Sequence, residues 1–196
     1  MKKLFLTVIL VSALSATACV KSLNAFYEMK DVYFDRSLVG AWAAANGKET
    51  WTVVPDENET FYVIEETDEE ERKSRFEARI FKIGDHSFLD LVAVPAGDYI
   101  NADGFFDQTI PIHSLMAIKK DGCSARMSYL DPSWLKVFLA KNPSAVKQAD
   151  AHGVLVLTDS TENLQAFVKK HLFTPGAFEK AETLYKKGET QCEEKN

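Results

Sequence analysis

The chain has 196 residues, room for one ordinary domain and too few for two. An apolar fraction of 46% and a charged fraction of 27% are those of a globular protein, which argues against a disordered chain or a membrane-embedded bundle. With 23 Lys and Arg against 29 Asp and Glu the formal net charge is −6, so the basic excess of a nucleic-acid binder is missing.

The first 18 residues read as an address. Lys2 and Lys3 are followed by an apolar run from Leu4 to Leu14 and by the small residues Ser15-Ala16-Thr17-Ala18, the three parts of a secretory signal. The uncharged run from Leu4 to the cleavage site at Ala18 is short of the ~20 residues a spanning helix needs. Ala16-Thr17-Ala18-Cys19 resembles the lipobox of bacterial lipoproteins. That resemblance implies cleavage after Ala18 and acylation of Cys19, with palmitate-type chains holding the protein to a membrane of the bacterial cell envelope. An outer membrane, facing the periplasm or the cell surface, is the expected place. Loss of Lys2 and Lys3 leaves 21 − 29 = −8, so the lipid and not the charge must supply the attachment. Outside the cytoplasm disulfides persist, and Cys123 and Cys192 are expected to pair.

Residues 19–37 read as the lipidated N-terminus and a tether, with a short helix around Leu23 to Met29. Residues 38–196 read as one domain. Its first part is a series of short apolar runs between turns: Leu38 to Ala45, Glu49 to Val54, Thr60 to Glu66, Arg75 to Ile83, His86 to Val94, Ile110 to Lys119, Cys123 to Leu130 and Gly153 to Leu157. Asn46-Gly47, Gly84-Asp85 and Asp121-Gly122 suit tight hairpin turns. A two-residue loop at Gly84-Asp85 sets Ile83 against His86, Phe81 against Phe88 and Arg79 against Asp90, an aromatic pair and an opposite-charge pair on one face. About eight strands at this spacing predict an antiparallel barrel or sandwich.

Three helices are expected after most of these strands. Asp131-Pro132 opens one over Ser133 to Lys141. Asp159-Ser160-Thr161-Glu162 opens a second, with Leu164, Phe167, Val168 and Leu172 on one stripe. Thr174-Pro175 opens a third, carrying Phe178, Ala181, Leu184 and Tyr185, with Gly188 as its stop.

Leu38-Val39-Gly40-Ala41-Trp42 is similar to the G-x-W that opens the first strand of lipocalin-like barrels, and the arrangement resembles the small lipocalin-like lipoproteins of bacterial envelopes. The resemblance implies an antiparallel β-barrel with C-terminal helices packed on it. It also implies that Gly40 and Trp42 pack the barrel base, and that a small apolar ligand or another envelope component is bound. The alternative is an interaction or structural module with a filled barrel.

Chemistry is sparse. The four histidines lie at 86, 113, 152 and 171 with no zinc spacing, no serine sits in a nucleophile elbow, and phosphate loops are absent, so no enzyme and no cofactor is expected. Asp98, Asn101, Asp103 and Asp107 crowd one loop without EF-hand spacing; the alternative is a rim or lid whose Phe105 and Phe106 cover the barrel. The run Glu65 to Lys73, in which only Thr67 is uncharged, reads as a solvated hairpin tip. Arg79, Asp90 and Arg126 interrupt apolar strands. They satisfy one another in the core, or they fix the polar end of a ligand in a barrel cavity.

Overall fold

The computed structural model describes residues 19–94 and 110–188. The signal segment 1–18, the loop carrying Asp98 to Asp107, and Cys192 with its expected bond to Cys123 all lie outside the described residues. In chain order the elements are β1 (Lys21–Ser22), β2 (Val32–Tyr33), β3 (Gly40–Ala44), β4 (Thr50–Pro55), β5 (Tyr62–Thr67), β6 (Lys73–Ile83), β7 (His86–Val94), β8 (His113–Asp121), β9 (Ser124–Tyr129), α1 (Pro132–Lys141), β10 (Gln148–Ala151), β11 (Val154–Leu157), α2 (Thr161–His171) and β12 (Ala181–Lys186).

The protein is mainly β. Strands β3 to β9 form an antiparallel meander, and β12 inserts between β9 and β3 to close it, giving an eight-stranded barrel compatible with a lipocalin-like plan. The expected register of the central hairpin holds: Ile83↔His86, Phe81↔Phe88 and Arg79↔Asp90 are partners. A closed sheet leaves no long unpaired edge, which removes the main hazard of an all-β chain.

The strand expected at Gly153 to Leu157 forms, as β11, but it stands outside the barrel, paired with β10 and in parallel with β1. The third helix does not form. Residues 181–186 are instead the strand that completes the barrel, with Leu184 buried. The segment carries no alternating apolar face, since Glu182 and Lys186 flank Leu184 on the same side of the strand. The deciding term is the pair of open edges on β3 and β9, whose buried N–H and C=O groups need partners.

The tether is also a correction. Val20, Ser22 and Phe26 are buried, the last two completely, and no α-helix forms at 23–29. Short 3-10 turns occupy Met29–Asp31 and Arg36–Leu38. Burying a phenylalanine stabilises by about 1.5–3 kcal/mol, which is enough to hold an otherwise weakly patterned strap against the wall.

Two apolar cores result. One fills the barrel with Leu38, Trp42, Trp51, Val53, Tyr62, Ile64, Leu89 and their neighbours. The other lies outside the wall, where Phe81, Phe88 and Leu115 meet Phe26, α1 and α2. Strand β7 passes between them, so Phe88, Leu89, Asp90 and Leu91 are all buried. Both helices start as their sequences require. Asp131 accepts from the backbone N–H of Ser133 and Trp134 ahead of Pro132 in the first turn, and the Ser160 hydroxyl accepts from the N–H of Asn163.

Candidate functional site

The barrel interior is packed. Trp42 and Trp51 are direct cross-strand partners, and the Trp42 indole N–H donates to the carbonyl of Leu38 at 2.8 Å. Gly40, at φ +131°, starts β3 with a backbone conformation that side chains disfavour, and a Cβ there would sit 3.3 Å from Lys186 Cε. Gly40 and Trp42 therefore both lie where the chain enters the barrel. The free space among Leu38, Trp42, Trp51, Tyr62, Met127 and Leu184 is about 20 Å³, against the ~300–1,000 Å³ of ordinary ligand pockets.

None of the three polar candidates reaches that interior. Phe81 and Phe88 belong to the outer core, so Arg79 and Asp90, two residues away on the same strands, face outward too. Arg126 alternates with the buried Ala125 and Met127 and is exposed on the outer surface. Asp90 is 2% exposed, but its partner is not Arg79. Its Oδ1 lies 2.6 Å from His113 Nδ1, and its Oδ2 accepts from the Phe26 N–H at 2.8 Å. His113 sits diagonally across the β7–β8 ladder, where Asp90 is opposite Leu115. The Arg79 guanidinium lies instead over the rings of Tyr27 and Phe61, at 5.6 and 5.1 Å. Asp90 thus locks the N-terminal strap to the wall, a structural function that the charge alternation alone did not disclose.

The two ends of the interior-facing rows differ in charge. Glu49, Glu66 and Glu182 extend the rows of Trp51, Ile64 and Leu184 at one end. Lys82, Lys120 and Lys186 extend those of Ile80, Ile118 and Leu184 at the other, with Lys82 over the Tyr33 ring and Lys186 over that of Trp42. At the acidic end, burial raises the carboxyl of Glu66 to about 7, helped by Glu49 and Asp68. Burial raises Glu182 to about 7 as well, followed by the hydrogen bond that its protonated carboxyl donates to Glu49. Their folded values exceed the ordinary 4.5, so the native state binds more protons than the unfolded chain between pH 4.5 and 7, and stability falls as pH rises through that window. Water reaches both groups, which limits the loss to about 1 kcal/mol each. Glu66→Gln should therefore raise the melting temperature at pH 8 and leave it unchanged at pH 4; equal effects at both pH values would refute the assignment.

Cys19 lies beside this acidic mouth, with Lys21, Glu66 and Tyr129 as its electrostatic neighbours. It is a free thiol, and burial pushes its pKa up, which disfavours the thiolate. Val20 is buried and Lys21 is already in the sheet, so no slack separates Cys19 from the folded domain.

A second concavity opens at the opposite strand ends. The β7–β8 ladder stops at Ser87↔Ile118, whereas β8–β9 continues to Asp121↔Ser124. The two hairpins part there and leave a cleft of about 620 Å³. Its walls include Lys119, Lys120 and Arg126 from the β8–β9 hairpin and Leu172, Phe173 and Phe178 from the segment after α2. Phe173 is 78% exposed and meets the His86 ring edge-on at 5.2 Å. Sequence reasoning missed this cleft because its walls come from segments about fifty residues apart. The signal available was Phe173, which falls just outside the apolar stripe of α2.

Among the described residues, no group of three or more His, Cys, Asp or Glu is placed to hold a metal ion, and no helix is long and apolar enough to cross a membrane. Comparison with known protein families, curated proteins and solved structures gives no match.

Proposed function

We propose that the mature protein is a non-enzymatic lipoprotein of the bacterial envelope, anchored through acylated Cys19, and that it works as an interaction module. The observation that carries this reading is the filled barrel. An interior with about 20 Å³ to spare holds no small apolar ligand without repacking two tryptophans, so binding falls to the outer surface. The alternative, a lipocalin-like carrier, requires an opening that Trp42, Trp51 and Tyr62 occupy. The anchor is supported by the Ala16-Thr17-Ala18-Cys19 segment. Because Val20 and Ser22 are buried, the lipid holds the acidic mouth directly at the bilayer rather than on a flexible leash.

The anchor is tested by fractionation. Cys19→Ala should move the protein from the membrane to the soluble fraction, with its melting temperature changed little. A wild-type protein already soluble after fractionation would overturn the lipid assignment. The module reading fails if the wild type, extracted from its envelope under non-denaturing conditions, carries one stoichiometric small molecule and no protein partner.

A further inference from the structure

We infer that the cleft between the β6–β7 and β8–β9 hairpins docks an acidic, aromatic-bearing peptide segment of a partner protein. The inference rests on the interaction-module reading and names the site and the partner chemistry.

Three observations support it. First, Lys119 and Arg126 are direct cross-strand partners on the outer face, a like-charge pairing that destabilises a bare sheet. Lys120 is next in the chain. Among the described residues none of the three has an ion pair. The carboxylates on the same walls do not neutralise them: Asp35 accepts the Ser37 N–H and hydroxyl, and Asp85 is exposed at its turn. In a chain of net charge −6 these cations concentrate a local positive field. Second, the opposite wall is apolar and unfinished, since Phe173 is 78% exposed beside the partly buried Leu172 and Phe178. Arginine and aromatic residues around a concavity are the composition of a protein-binding hot spot. Third, Cys19 lies beside the other charged end of the barrel rows, so the anchor brings the acidic mouth and not this cleft to the bilayer. That favours a protein segment over an anionic lipid.

The occupant follows from complementarity. Carboxylates of the peptide pair with Lys119, Lys120 and Arg126, and an aromatic side chain packs on Phe173 and Phe178. The probe is a fluorescein-labelled octapeptide alternating glutamate and phenylalanine, added to purified full-length mature protein in detergent and followed by anisotropy. Saturable binding is expected, weakened roughly tenfold or more by Arg126→Glu and by Phe173→Ala, each a surface change that leaves the melting temperature unaltered. The same peptide with lysine in place of glutamate should not bind. Binding that ignores both substitutions overturns the proposal. So does a preference for phosphatidylglycerol vesicles over the peptide, which would make the ligand a lipid. So does binding that appears only after removal of residues 189–196, which would make this chain's own Glu189, Glu193 and Glu194 the occupant. In cells, a photo-crosslinking residue at 173 should join a partner at an acidic segment, while one at the exposed position 137 on α1 should not. A crosslink from 137 alone overturns the cleft and spares the module reading; none from either position counts against both.

Discussion

Asp90→Ala should lower the unfolding free energy by about 3–5 kcal/mol, read from urea denaturation midpoints at an unchanged slope. The carboxylate is buried on the outer-core side of β7, and its removal strands two groups at once: the imidazole of His113 and the backbone N–H of Phe26. An orphaned buried donor alone costs about 1–3 kcal/mol. Asp90→Asn keeps an acceptor for Phe26 and should fall between wild type and Ala. Arg79→Ala should cost less than Asp90→Ala, since the guanidinium rests on the Tyr27 and Phe61 rings and not on the carboxylate. A double-mutant cycle makes the distinction quantitative: Asp90 should couple to His113 and not to Arg79. An Asp90→Ala effect below about 0.5 kcal/mol, the range of surface sites, would refute the lock on the N-terminal strap.

Trp42→Ala should cost about 3–5 kcal/mol, because it removes a large buried side chain from a packed barrel and leaves Trp51 without its cross-strand partner. The cavity would be apolar, and such cavities stay dry and accept small aromatic molecules. Indole should therefore raise the melting temperature of the Trp42→Ala protein and leave the wild type unaffected. That contrast bears on the carrier reading: a barrel that already housed an apolar ligand would respond to indole before the substitution. A wild type stabilised by indole would reopen the alternative, and a Trp42→Ala protein as stable as the wild type would show that the indole does not fill the interior.

The strands of the meander, the tight turns between them and the register of the central hairpin were legible in the order of residues alone. These are local properties: Gly84-Asp85 permits one turn, and a period of two then decides which side chains share a face. The starts of α1 and α2 were legible for the same reason, as Asp131-Pro132 and Ser160 meet needs arising within a single turn. Tertiary structure decided the rest. Residues 181–186 carry a helical stripe of apolar residues and no alternating one, and only the open edges of β3 and β9 turn them into the strand that closes the barrel. Which face of β7 is the interior could not be read either, because Phe88 and Leu89 are both buried, one against the helices and one inside the barrel. That ambiguity sent Asp90 to the wrong partner: the opposite residue in the ladder was visible in the sequence, whereas His113 arrives on β8 across a connection with no local signal. The cleft with Phe173 and Arg126 has the same origin. It exists because two hairpins of unequal length diverge beside a segment folded back from α2, and no stretch of chain contains that geometry.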